Sequence, residues 1–274
     1  MALLGVRRLS RVGRDEHLSV IDHLDELRNR IIVSVLALAV AFGVAYGFHE
    51  QLISALQYPL PDRYKEEGLI TLSPTEPFFT VLKVCFWTAI LAALPVWLYQ
   101  LYAFVIPAVQ DQSRRRMLAV VAGASGLFVA GVAFAFYVVL PVALRFLLNF
   151  GGDTFQTEVR AGEYFAFVTS LMLGGGLMFE IPVAMLALAR IGVTSAEFYV
   201  RQWRVAVVVI AALAAILPGG DPFSMLLLMI PQIVLYSLGI LLARRFGGPP
   251  LWARDAWAEA DDDDDAPAPT AGSA

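Results

Sequence analysis

Six long apolar runs divide this chain, and they constrain its fold more than any other feature. A helix needs about 20 mostly apolar residues to cross a hydrocarbon core about 30 Å thick. The candidate spans are Ile31–Phe48, Val84–Phe104, Met117–Leu140, Tyr164–Ile191, Val205–Leu217 and Phe223–Leu242. The second is expected to begin earlier, near Pro77. The fifth holds 13 apolar residues, which at 1.5 Å per residue is about 20 Å. Either the bilayer thins there, or Tyr199 to Arg204 lengthen the helix and snorkel. The expected fold is an all-α integral membrane protein of six transmembrane helices, the fifth and sixth short. Composition agrees: 58 % of residues are hydrophobic and 16 % charged, with mean hydropathy +0.68, whereas soluble domains are about a quarter charged.

Basic residues orient the spans, because cytoplasmic loops carry the excess of Lys and Arg. Arg7, Arg8, Arg11, Arg14, Arg28 and Arg30 precede the first run. Arg114, Arg115 and Arg116 follow the second; Arg190, Arg201 and Arg204 follow the fourth; Arg244, Arg245 and Arg254 follow the sixth. Set against those fifteen are Arg63, Lys65, Arg145 and Arg160 in the opposite loops. Both termini are therefore expected in the cytoplasm. The net charge of −4 owes much to Asp261–Asp265 in the tail. Three regions follow: a cytoplasmic segment 1–30 with an amphipathic helix, a transmembrane domain 31–245, and an acidic tail 246–274 that reads as disordered. The outer loops, about 49–76 and 141–163, are expected to fold over the helix ends as a cap.

Glu180 demands the most explanation. It sits within the fourth run, in Gly174-Gly175-Gly176-Leu177-Met178-Phe179-Glu180-Ile181-Pro182. Ionisable groups inside a membrane are costly and mark functional sites. Pro182 cannot donate to the Met178 carbonyl, so a kink is expected, and the glycines allow close approach of another backbone. A bland alternative is a protonated Glu bonded to a neighbouring helix. Asp221, before Pro222, reads as the N-cap of the sixth helix. Ser19–Arg30 has Leu24, Leu27 and Ile31 at helical spacing, an amphipathic pattern expected along the membrane surface and running into the first span. Its Asp25 and Glu26 carboxylates suit bidentate contact with a guanidinium.

Catalytic and metal readings find little support. Gly123-Ala124-Ser125-Gly126 matches the surroundings of an intramembrane protease serine, but such a serine needs a base within reach. The histidines are His17, His23 and His49, none inside a span, so close helix packing is the expected role of the motif. Cys85 is a single buried hydrophobe. The three histidines show no metal-ligand spacing. No cofactor and no nucleic-acid partner is expected. Arg7-Arg8 lacks the nearby apolar core of an export signal, so it reads as a basic tail.

The chain resembles the TatC family, the multispanning core subunit of the twin-arginine protein translocase. The likeness runs from His17 to about Arg245. It rests on His23-Leu24-Asp25-Glu26-Leu27-Arg28-Asn29-Arg30, Pro77-Phe78-Phe79, Tyr99-Gln100, Ala103-Phe104, Pro107-Ala108, Phe179-Glu180-Ile181-Pro182, Asp221 with Phe223-Ser224, and Ile230-Pro231. The resemblance implies a cup-shaped bundle in a bacterial or archaeal cytoplasmic membrane. It implies a non-enzymatic receptor for the Arg-Arg signal peptide of folded proteins. Single-span partner subunits and further copies of the chain would complete the complex, and a proton gradient would drive it. Signal-binding residues would be Leu24, Glu26, Arg28, Phe104, Asp111 and Ser113; the partner-contacting intramembrane site would comprise Glu180, Pro182, Asp221 and Met225. Ser113 stands where the family often has a Glu, with Asp111 as a possible substitute. Met225 and Ser237 stand where Gln and Glu are common. The rival reading is a proton-coupled small-molecule transporter using Glu180.

Overall fold

The computed structural model describes residues 20–105, 114–150, 157–216 and 221–248. The described chain is helical, joined by turns and one isolated backbone bridge between Ile70 and Arg160. In chain order the helices are α1 (Val20–Gly47), α2 (His49–Leu56), α3 (Asp62–Glu67), α4 (Glu76–Val105), α5 (Arg114–Phe134), α6 (Leu140–Asn149), α7 (Ala161–Phe179), α8 (Ile181–Ile191), α9 (Ala196–Arg201), α10 (Trp203–Ile216) and α11 (Pro222–Phe246). Five segments are long and apolar enough to cross a membrane: α1, α4, α5 with α6, α7 with α8, and α11. The sixth, α10, has 14 described helical residues, about 21 Å of rise.

Prolines explain the joints. A wide π turn over Ala135–Val139 links α5 to α6, just before Pro141, which cannot donate a backbone bond. Span four breaks at Glu180, between α7 and α8. The extension expected before span five does form, but as the separate helix α9. Its N-cap Ser195 accepts from the Phe198 N–H at 3.2 Å, and it ends at Gln202 before α10 begins.

Helix contacts set the arrangement. Cys85 Sγ approaches the Ala45 carbonyl at 3.6 Å, Trp97 Nε1 donates to Ser34 at 3.0 Å, and Arg30 reaches Gln100 and Ala103. Partners descend α1 as they climb α4, so the two helices are antiparallel. Glycines allow α5 to close on α7: a Cβ on Gly131 would lie 2.6 Å from the Gly175 carbonyl oxygen, and one on Gly176 would strike Phe128. On α11, Gly239 rests against Pro182 and Met185 of α8.

The segment 49–76 folds over the ends of α4, α6 and α7. Leu56, Leu60 and Tyr64 share a buried cluster with Val139, Leu140, Leu144 and Tyr164. Tyr64 Oη donates to Leu148 O at 3.2 Å. Ile70 exchanges backbone bonds with Val159 and Ala161 at 3.0 and 2.9 Å.

The Ser19–Arg30 segment runs into the first span as expected: from Val20 it is helical and continuous with that span in α1. Three expectations change. The sixth span is not short: α11 runs 25 residues, because the helix continues past Leu242 to Phe246 and Pro231 is accommodated without ending it. The loop expected from 141 is helical to Asn149. Gly123 and Gly126 pack against nothing within 4 Å of an added Cβ; the close contact of α5 comes one to two turns later, at Gly131.

Candidate functional site

The Arg-rich start of α1 meets the last turn of α4. Leu24 is 58 % exposed and Arg28 is exposed, whereas Glu26 and Arg30 are partly buried. Glu26 precedes Arg30 by four residues, the spacing and order that favour a helical ion pair. Glu26 Oε1 accepts from Arg30 Nε at 3.1 Å and also from Arg30 Nη2. The remaining donors cross to α4: Nη1 to Gln100 O at 3.4 Å and Gln100 Oε1 at 3.3 Å, and Nη2 to Ala103 O at 2.9 Å. The Ala103 carbonyl is one of the last four of its helix, which lack an intrahelical donor. Phe104 is half-buried immediately after it. Asp111 and Ser113 lie outside the described residues.

The structure brings Arg30, Gln100 and Ala103 to Glu26, and of the described residues named from sequence for signal binding only Glu26 takes part in these hydrogen bonds. The four-residue step from Glu26 was a signal for Arg30. No local pattern pointed to Gln100, whose role depends on the antiparallel packing of α1 on α4. One oxygen of Glu26 is already held, so its carboxylate does not present two vacant oxygens.

Glu180 occupies the joint of span four. Its N–H bonds the Leu177 carbonyl three residues back, at 3.1 Å, and its own carbonyl accepts from Ala184 at 2.9 Å. The helix tightens for one residue ahead of Pro182 and then resumes. Pro182 itself is fully buried. Glu180 Oε1 is buried with no hydrogen-bond partner among the described residues. The Tyr102 hydroxyl of α4 lies within electrostatic range of both Glu180 and Arg190. From Ala161, Glu180 is about 28 Å along span four, a turn past the midpoint of Ala161–Ile191 on the side of Arg190. Two of the glycines before it, Gly175 and Gly176, admit α5 through Gly131 and Phe128 rather than an added segment.

Asp221 caps α11 as expected, accepting from Ser224 N at 2.7 Å through Oδ1. Its Oδ2 is buried and unpartnered, as are Ser224 Oγ and Gln232 Nε2. Met225 packs against the main buried cluster. Gly239, not Asp221, lies level with Pro182, and the intervening turns of α11 span about 27 Å. Glu180 and Pro182 therefore form one location and Asp221 and Met225 another. Sequence reasoning missed Gln232, which is 1 % exposed and follows a helical proline.

A family model described as Sec-independent protein translocase protein (TatC) matches residues 22–231. The chain belongs to the TatC family. It is a core subunit of the Sec-independent, twin-arginine protein translocase. It is 35 % identical to a Sec-independent protein translocase protein TatC of Carboxydothermus hydrogenoformans, over 84 % of this chain and 94 % of that one. It is 38 % identical to the chloroplastic protein of Arabidopsis thaliana, over 85 % of this chain and 68 % of that one. A crystal structure of the twin arginine translocase receptor TatC superposes with a TM-score of 0.73 at 33 % identity, covering 81 % of this chain and 98 % of the other. A second, in DDM, gives 0.74 at 34 % identity, with 81 % and 99 % covered. These likenesses agree with the multi-pass helical architecture and with the absence of strands among the described residues.

Proposed function

We propose that this TatC-family chain reads the paired arginines of export signals at its cytoplasmic face, with Glu26 as an acceptor. Leu24, Arg28 and Phe104 act with it in binding the signal, as do Asp111 and Ser113, which lie outside the described residues. The observation that carries this reading is the Glu26 carboxylate: it stands partly exposed beside the end of α4 and already binds a guanidinium. Charge-assisted bonds of this kind contribute about 1.5–3 kcal/mol each, more than an exposed ion pair at about 0–1 kcal/mol.

In this reading both termini are cytoplasmic, as the fifteen-to-four arginine and lysine asymmetry favours, and the terminal segments 1–30 and 246–274 flank the transmembrane domain. The membrane is the cytoplasmic membrane of a bacterium or archaeon. Glu180, at the joint shaped by the buried Pro182, and Asp221 with Met225 mark two regions that meet single-span translocase subunits, and several copies of the chain assemble in one complex driven by the proton gradient. The chain acts by binding and assembly and not by catalysis.

The test is photocrosslinking from position 24 to a precursor bearing an Arg-Arg signal, with a Lys-Lys control. A crosslink confined to the Arg-Arg precursor supports the receptor reading, and Glu26→Ala should remove it without lowering the amount of protein. Equal loss of crosslink and protein makes Glu26 structural. No crosslink to either precursor turns attention to the transporter reading, which requires substrate flux in liposomes by this chain alone and its loss in Glu180→Gln.

A further inference from the structure

The guanidinium of Arg30 has five N–H donors, and its five bonds are divided between two helices. Two go to a single oxygen of Glu26 on the same helix. Three go to Gln100 O, Gln100 Oε1 and Ala103 O at the end of α4. Glu26 Oε2 takes no part in this contact. Side-chain exposure is 19 % for Arg30 and 33 % for Glu26, so an incoming group can reach the carboxylate while the guanidinium stays mostly covered.

We infer that Arg30 is a resident competitor for Glu26 and that its presence helps restrict the site to arginine. This inference rests on the proposal that Glu26 receives a signal arginine. To take the carboxylate in two-oxygen fashion, a ligand must displace the Nε and Nη2 bonds of Arg30. Displacement does not strand Arg30, because its three α4 acceptors remain. They lie at a helix C-terminus, where the backbone dipole favours a cation.

An incoming guanidinium replaces a fork of donors with a fork of the same geometry, so the exchange is close to balanced. An ammonium is a compact, strongly hydrated point charge. It cannot restore a planar two-donor contact, and since both cations meet the same repulsion from Arg30, only the guanidinium recovers the bonds that displacement costs. Discrimination then arises from the competitor as well as from contacts to the correct ligand, as specificity often does. A carboxylate without Arg30 would attract either cation, with geometry alone to separate them.

The experiment uses the full-length chain, co-expressed with its partner subunits in membrane vesicles. It compares binding of a labelled Arg-Arg signal peptide with its Lys-Lys counterpart. In the unaltered protein Arg-Arg is favoured. Arg30→Gln should raise Lys-Lys binding and lower the Arg-Arg to Lys-Lys ratio by about tenfold. Arg30→Lys, which keeps the charge but loses the fork, should give a ratio in between; it carries the measurement if Arg30→Gln does not accumulate. An unchanged ratio in the variants that accumulate, or equal loss of both peptides, overturns the competitor role and leaves Arg30 as a helix tie. Glu26→Gln separates this inference from the reading beneath it. If Arg-Arg binding survives Glu26→Gln, the site itself is misassigned; if it is lost while the Arg30 ratios stay fixed, only the competitor role fails.

Discussion

The Tyr164 hydroxyl donates to the Leu56 carbonyl at 2.8 Å, joining residues 108 positions apart where solvent does not reach. Tyr164 lies in the first turn of α7 and Leu56 ends α2, the first helix of the cap. Burial of that carbonyl requires a donor, since an unpaired polar group in an apolar setting is costly. Tyr164→Phe should therefore destabilise the protein by about 1–3 kcal/mol, read as a lower unfolding midpoint in detergent. An unchanged midpoint would mean that the Leu56 carbonyl finds another donor.

A second tie at the same end is ionic. Glu76 Oε1 accepts from Arg160 Nε at 2.8 Å and Gly162 N at 3.2 Å, while Oε2 accepts from Leu72 N at 2.9 Å. Glu76→Gln keeps an acceptor for a backbone N–H but removes the charge. Residues 57–75 should then be cleaved faster by protease, by roughly tenfold where cleavage follows local opening. Equal cleavage rates would show that the backbone pairing of Ile70 with residues 159 and 161 holds the cap by itself.

Gly131 and Gly123 share a helix but not a role. A Cβ at Gly131 meets the Gly175 carbonyl oxygen, which is backbone and cannot swing aside, whereas one at Gly123 meets nothing. Gly131→Val should cost about 1–3 kcal/mol or more by overpacking and reduce the folded protein recovered from membranes. Gly123→Ala should be tolerated. Recovery of both variants at parental levels would contradict the α5–α7 packing described above.

Asp221 has separable duties. Its Oδ1 caps α11, and its Oδ2 is buried without a partner. Asp221→Asn can keep the cap, while Asp221→Ala loses it at a cost of about 1 kcal/mol. If the charge serves partner contact, Asn should impair assembly with single-span subunits at parental stability. Copurification at parental yield from Asp221→Asn would reduce this residue to its capping role.

Glu180→Gln should insert and accumulate normally, because the side chain is already unpartnered at Oε1 and the amide is easier to bury than a carboxylate. Partner assembly or transport should fall. Full export with intact complexes would remove Glu180 from the functional site.

Much of this architecture was legible from local chemistry. Apolar runs set the spans, since an unpaired backbone cannot lie in hydrocarbon. Pro182 announced the joint at Glu180, and Asp221 before Pro222 announced the start of α11. These features depend on a few neighbouring residues, and each appears in the fold as its local chemistry requires. The length of α11 was harder to read, because a proline within a helix is tolerated or not according to what surrounds it.

Relations between helices were not legible. Glu26 looked like a vacant acceptor, and packing of α1 on α4 supplies Arg30 with the three further contacts that hold it there. Glu180 and Asp221 looked like parts of one polar site, and the register of α8 against α11 sets them apart. Gly123 and Gly131 are alike in sequence, and only the position of α7 distinguishes them. Sequence by itself determined which segments cross a membrane and where Pro182 and Asp221 set a joint and a helix start, because those outcomes follow from backbone hydrogen bonding and hydropathy along a single segment. Tertiary structure alone decided which polar groups meet, because register and facing depend on the fit of side chains far apart in the chain.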